Sequence, residues 1–212
     1  VNNLVEGGKV SDTSLRSFAR LFELLNIPVP ELTALADNLR LAADTSSENR
    51  SGALAPLRPQ RLSELVWLGL SPHSLLLLQP YITLLPTRTP VNLNTATAEV
   101  IYASVAGLDM AGAQRLVSQR ERKPFATLQD AARLTLGTEL SAEQHAVATR
   151  YFEVRGRLRT SAGRVEELSL LQRDGLEVKI LRRERVLSQA PRQNPDGSSA
   201  EPGRDFSSLM QR

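Results

Sequence analysis

Three groups of side chains have the types and spacing for chemistry. Asp44, Glu48 and Asn49 place oxygen ligands in one polar stretch, the donor set a calcium ion takes. Their spacing does not match an EF-hand, and a solvated polar loop is the competing reading. Glu166 and Glu167 are adjacent carboxylates on a strand pattern. Neighbours on a strand point to opposite faces, which suits solvated charges better than an acid–base pair. The third group runs from Asn92 through Asn94 to Thr95 and Thr97. Short amides bond backbone groups locally, and either threonine can cap a helix by accepting from an orphan N–H. Glu99 then falls in the first turn, where negative charge is favoured. Whether this group grips a ligand or joins backbone segments decides much of the functional reading.

Other chemistry is excluded or unsupported. There is no cysteine, so disulfides, zinc–thiolate sites and thiol catalysis are ruled out. His73 and His145 lie far apart, and each reads as a surface or helix-end residue. No P-loop, dinucleotide-binding glycine pattern or G-x-S-x-G occurs. The expectation is a protein that is not an enzyme. A net charge of +3 over 212 residues is weak evidence for an acidic partner. The hydrophobic fraction of 41% allows a sizeable core, and only 4% is aromatic, so that core must be built mostly of Leu, Val and Ala. The most apolar run, Ser74 to Leu85, is interrupted by Gln79 and Pro80 and falls short of the roughly 20 residues a membrane span needs. The chain opens on Val1 in the middle of a pattern, which reads as a fragment whose natural N-terminus has been cut away.

The elements that must position these groups follow from periodicity. Val1 to Val5 reads as the end of a strand or turn closed by Gly7-Gly8. Leu15, Phe18, Ala19, Phe22 and Leu25 recur at helical spacing after a Ser11 or Asp12 cap. Asn26 to Pro30 ends that helix, and a second starts near Glu31 with Leu32, Leu35, Ala36 and Leu39 on one face. Leu62 to Leu68 reads as a short helix ended by Gly69. Ser71-Pro72 opens another, whose Leu75–Leu78 run is apolar all round and should be buried. After the asparagine group come short helices around Val100–Val105, Ala111–Arg122 and Thr127–Leu134. Ser141 to Gln144 reads as a capping box opening a last helix through Arg150. The period then changes to two. Phe152, Val154, Gly156 and Leu158 alternate with charged residues, a half-buried strand pattern. Arg164–Arg173 and Leu176–Arg185 make two more strands around an Asp174-Gly175 turn. Three strands need a cover on one face, which must come from elsewhere in the chain. From Ser188 the composition predicts a disordered tail.

Asn92 to Ala96, Ala106-Gly107-Leu108, Arg115, Arg120 and Pro124-Phe125 together resemble the helix-hairpin-helix arrangement of DNA-uptake receptors. In that motif a Gly-hydrophobic-Gly hairpin lets backbone N–H groups approach phosphates. Here Asp109 replaces the second glycine, putting a negative charge where the phosphate would sit. The order of motifs resembles a different family more closely. Val1-Asn-Asn-Leu-Val5, the Pro56–Gly69 segment around Ser63-Glu64-Leu65, Val91–Val100, Arg120 with Pro124-Phe125 and Leu128, and Phe152-Glu-Val154 are similar, in sequence order, to the K-type minor pseudopilins of bacterial type II secretion.

The resemblance implies an α+β fold, a pseudopilin-type antiparallel sheet with a large inserted all-α domain containing a helix-hairpin-helix element. Residues 1–10 would close the N-terminal pseudopilin part, 11–149 form the inserted domain, 150–187 the β-meander and 188–212 the tail. It further implies a pseudopilus-tip protein that assembles with the I and J minor pseudopilins. That protein would work in the periplasm, anchored in the inner membrane by a helix outside this sequence. Members can bind calcium, but the Asp37–Ser51 region departs from the family pattern, so no ligand set carries over. Within this reading Asn92, Asn94, Thr95 and Thr97 form a structural joint, and Phe152, Val154 and Leu158 mark a partner-contact strand. The alternative is a periplasmic DNA-binding module of a DNA-uptake system.

Overall fold

Helix α1 (Asp12–Leu24) and helix α2 (Val29–Ala43) form because their apolar residues recur every three to four positions. This computed structural model describes residues 1–44, 56–135, 137–160 and 163–189. Between the two helices Asn26 takes φ 54°, the left-handed conformation that reverses the chain, and Ile27 drops into the core. The second helix begins at Val29, ahead of the Glu31 predicted from sequence. From sequence Pro30 reads as a terminator, but in a first turn its missing N–H removes no helical bond.

Leu62–Leu68 is a 3-10 helix, ended by Gly69 at φ 106°. A Cβ on Gly69 would lie 2.7 Å from the Ala34 Cβ, so α2 and this turn meet at van der Waals limit. Helix α3 (Pro72–Leu78) starts as expected, with Ser71 Oγ accepting from the Ser74 N–H at 3.1 Å. It is not buried all round. Leu78 is covered while Leu76 is 61% exposed, because only one side packs against the 3-10 helix, with the small Ser74 turned inward. Residues Asn2–Leu4 form a 3-10 turn followed by a two-residue hairpin, β1 (Val5–Glu6) with β2 (Lys9–Val10). The Val1 nitrogen donates to the Thr83 carbonyl, Asn2 Nδ2 to Leu85 O, and Asn3 exchanges two bonds with Thr89. These bonds tie the start of the chain to residues 83–89.

The chain divides into two compact units, Val1–Thr149 and a second beginning at Arg150. The first holds two apolar clusters. One gathers Leu4, Phe22, Leu32, Leu35, Leu65 and Leu68 around α1 and α2. The other gathers Leu93, Ile101, Val105, Leu116, Phe125 and Ala131. It is built from β3 (Val91–Asn92), α4 (Ala98–Ser104), α5 (Met110–Arg122), α6 (Leu128–Ala132) and β4 (His145–Ala146). The predicted helix from Ser141 to Arg150 does not form. Its cap makes one turn, His145 N to Ser141 O at 2.8 Å, and the chain then becomes a strand parallel to β3. Val91 N donates to Gln144 O and Leu93 N to Ala146 O, so long-range pairing overrides the local cap.

In the second unit β5 (Tyr151–Thr160), β6 (Gly163–Asp174) and β7 (Glu177–Gln189) form an antiparallel meander in that order. The turn at Asp174-Gly175 forms as predicted, with Gly175 at φ 60°. The third strand runs to Gln189, so Ser188 and Gln189 belong to the sheet and not to the predicted tail. The remaining tail positions lie outside the described residues. β6 and β7 slip register between Leu170 and Leu171, which leaves Leu181 as an extra residue. The half-buried pattern predicted for β5 is more open in the structure, with Val154 50% and Leu158 61% exposed. The architecture is α+β.

Candidate functional site

Asn92 and Asn94 organise backbone. Asn92 Oδ1 accepts from the Asn94 N–H at 3.1 Å, closing an Asx turn. Asn94 then reaches two distant segments. Its Nδ2 donates to Phe125 O at 2.9 Å and to Val147 O at 2.8 Å, and its Oδ1 accepts from Phe125 N at 2.9 Å. Both amide protons are therefore engaged, and one side chain fastens the turn after β3, the segment after α5 and the exit of β4. Arg120 adds a fourth tie, donating to Leu93 O at 2.7 Å, and burial pushes its pKa down. Thr97 takes the N-cap position of α4, with Oγ1 facing Val100 N at 3.4 Å. Thr95 is not a cap; its N–H closes the preceding turn onto Asn92 O.

The turn between α4 and α5 holds Gly107 at φ 81° and Asp109 as the α5 N-cap. Asp109 Oδ1 accepts from Gly112 N at 2.7 Å. A carboxylate thus occupies the helix N-terminus that a phosphate would need. Gly112 is required for this closeness, since a Cβ there would lie 2.6 Å from Leu108 Cδ1 and 2.8 Å from Asp109 Oδ1. Arg115 is exposed on α5. Sequence reasoning missed Arg20, which donates from α1 to Val105 O and Leu108 O and stacks over Tyr102 at 4.3 Å. No local motif marks such a cross-element staple.

Phe152, Val154 and Leu158 share one face of β5, as the alternation predicted. Phe152 stands opposite Leu171, which stands opposite Ile180. Glu166 and Glu167 point to opposite faces. Glu166 pairs with Arg155 and Arg157, and Glu167 with Arg183 and Arg185. The hydrogen bond from Arg185 is the main reason Glu167 has a lowered pKa.

Residues 91–151 match the family described as type II secretion system (T2SS), protein K, and residues 1–87 match a second profile with that description. The chain belongs to the type II secretion system protein K family. It is also 30% identical over 203 residues to the type II secretion system protein K of Pseudomonas aeruginosa strain PAO1, an alignment covering 87% of this chain. The chain spans 60% of the length of that relative. The asparagine joint opens the 91–151 match, and the strand pair β3–β4 lies wholly inside it.

His145 is buried at 3% exposure in β4, against the predicted surface or helix-end position. Its Nε2 meets Ser104 O at 3.3 Å, and burial lowers its pKa below the ordinary 6.5. It borders a cleft of about 1040 Å³ that also touches Arg16, Arg20 and Glu23 of α1. Of the calcium candidates, Asp44 caps the end of α2, and Glu48 and Asn49 lie outside the described residues. Among the described residues no group of three or more His, Cys, Asp or Glu could hold a metal ion. Among them, too, no helix is long and apolar enough to cross a membrane.

Proposed function

We propose that this chain is the periplasmic part of a minor pseudopilin that caps the tip of the type II secretion pseudopilus together with the I and J minor pseudopilins. The observation that carries the reading is the family match in a chain whose Val1–Thr149 unit has two apolar clusters of its own. A unit of that bulk, added to a small sheet, does not fit between subunits stacked in a filament and suits its end. The work is assembly for protein export, with no bond made or broken. In the full-length protein a preceding helix anchors it in the inner membrane, and Phe152, Val154 and Leu158 contribute partner contacts. Size-exclusion chromatography with soluble I- and J-type domains should give a one-to-one-to-one complex, and separate elution at micromolar concentration would remove the reading.

The DNA-binding alternative is not favoured, because Asp109 fills the helix N-terminus that the phosphate would use. Salt-dependent duplex binding lost on Arg115→Ala would revive it. Calcium binding is proposed as an accessory property, with no ligand set assigned to it. A melting temperature unchanged by millimolar calcium removes it.

A further inference from the structure

The two apolar clusters of the first unit meet where α1 packs against α4, and Arg20 fastens that junction to the turn after α4. The cleft of about 1040 Å³ opens beside it, and the described residues that border it all belong to the Val1–Thr149 unit. Junctions between packed bodies are common places for ligand sites. Thr13, Arg16, Arg20 and Glu23 recur every three to four positions, so this border follows one face of α1 for about 15 Å. Another border is the run from Thr138 to Ser141, which belongs to no helix or strand. The backbone N–H and C=O of Glu139 and Leu140 make no hydrogen bond among the described residues.

Charge is left over at the same place. Arg20 commits both Nη groups to the carbonyls of Val105 and Leu108. Arg16, Glu23 and Glu139 are exposed, and none of them has an ion-pair partner among the described residues. On α1 the free cation and the free carboxylate stand seven residues apart, about 10 Å along the axis. Ala19, Ala103 and Ala106 also border the cleft, and side chains this small let a second backbone come close.

We propose that this cleft binds an extended peptide segment of a partner protein, one that carries an acidic residue and, four positions on, a basic one. The acid pairs with Arg16 and the base with Glu23, with Glu139 adding a second carboxylate for the base. Four extended residues span about 13 Å, and the flexible side chains at both ends take up the difference from the spacing on α1. The residue midway between the two charges lies over the alanines and is small. The peptide backbone pairs with Glu139 and Leu140, so main-chain bonds give affinity and the charges select the sequence. The inference goes beyond the assembly role proposed above and does not rest on it.

The test titrates the whole, isotope-labelled chain with the blocked peptide acetyl-Glu-Val-Ala-Val-Lys-amide, with acetyl-Gln-Val-Ala-Val-Gln-amide as the neutral control. The amide resonances of Glu139, Leu140 and the Arg16–Glu23 face of α1 should move. The charged peptide should bind about fivefold or more tightly than the neutral one, and added salt should narrow that gap. Arg16→Glu with Glu23→Arg should turn the preference toward acetyl-Lys-Val-Ala-Val-Glu-amide. Ala106→Phe should block binding by filling the cleft. All three positions are exposed, and an unchanged circular dichroism spectrum checks that each variant keeps its fold. No shift at millimolar peptide, equal affinity for the neutral peptide, or shifts confined to residues outside the cleft would each overturn the proposal. So would a preference that survives the charge exchange, or binding undiminished by Ala106→Phe. Failure here leaves the assembly role standing, since co-elution with I- and J-type domains tests that role separately.

Discussion

In the helical unit Leu93, Ile101 and Leu116 are wholly covered, whereas in the sheet Val154, Leu158, Val178 and Ile180 keep about half or more of their surface exposed. Both regions are read from equally clear periodicities, 3.6 in one and 2 in the other. The difference lies in what packs on the apolar face. The helical unit closes its faces on one another and ties the remaining backbone with side-chain amides and guanidinium groups. The sheet satisfies its internal backbone bonds, and among the described residues of its own unit no second layer packs across Phe152, Val154 and Leu158. A core residue in the first unit is therefore a stability residue, whereas an exposed apolar residue on the sheet contributes little burial to stability.

The comparison is broken most easily at the covered end. Ile101→Ala or Leu116→Ala should cost about 3 kcal/mol, the usual loss when a buried branched side chain leaves a cavity. Urea unfolding would measure it, and a loss under about 1 kcal/mol would mean the cluster is less well packed than its burial indicates.

Asn94→Ala comes next. It strips partners from the Phe125 N–H, the Phe125 carbonyl and the Val147 carbonyl together, at about 2–4 kcal/mol for polar groups left unpaired. Asn94→Asp sharpens the point. The carboxylate keeps the acceptor for Phe125 N but loses both donors, so it should be nearly as destabilising as alanine. An Asn94→Asp protein as stable as wild type would show that the joint does not depend on those donors. Arg120→Gln, with one bond to Leu93 O at stake, should cost less, about 1 kcal/mol.

These residues also mark where the sequence was legible. The α1 and α2 stripes, the Ser71-Pro72 start, the Asp174-Gly175 turn and the strand alternation depend on neighbours a few positions apart, and they read correctly. Asn92 to Thr97 reads as a turn and cap, since Asn92 to Asn94 is a local bond. Its larger role does not, because Phe125 and Val147 lie 31 and 53 residues away. The same cause hides β4. A local capping pattern at Ser141 predicts a helix, and the partner that overrules it is the distant β3. Arg20 carries no signal at all, since its acceptors are carbonyls 85 and 88 residues on.

Acid should separate the two regions by pH window. Burial lowers the His145 pKa in the folded protein below 6.5, so the unfolded chain takes up a proton first. Stability is therefore whole above 6.5 and falls as pH drops from there toward the folded pKa. The exposed sheet carboxylate Glu167 has a folded pKa below 4.5, and its contribution is lost only at lower pH. Urea midpoints taken from pH 7.5 to 5 should decline, and His145→Gln should flatten that decline. A slope unchanged by the substitution would take His145 out of the account.

The smallest expected effect falls on the sheet. Leu158 exposes 61% of its surface, so Leu158→Ser removes little covered apolar area and should change stability by no more than about 0.5 kcal/mol. The same exchange of a leucine at position 93, fully covered, should be severe. If Leu158→Ser instead costs as much as a core substitution, the sheet face is covered in solution by something within this chain, and the contrast between the units disappears. If it leaves stability alone yet weakens assembly with partner domains, the exposed face is held open for contact.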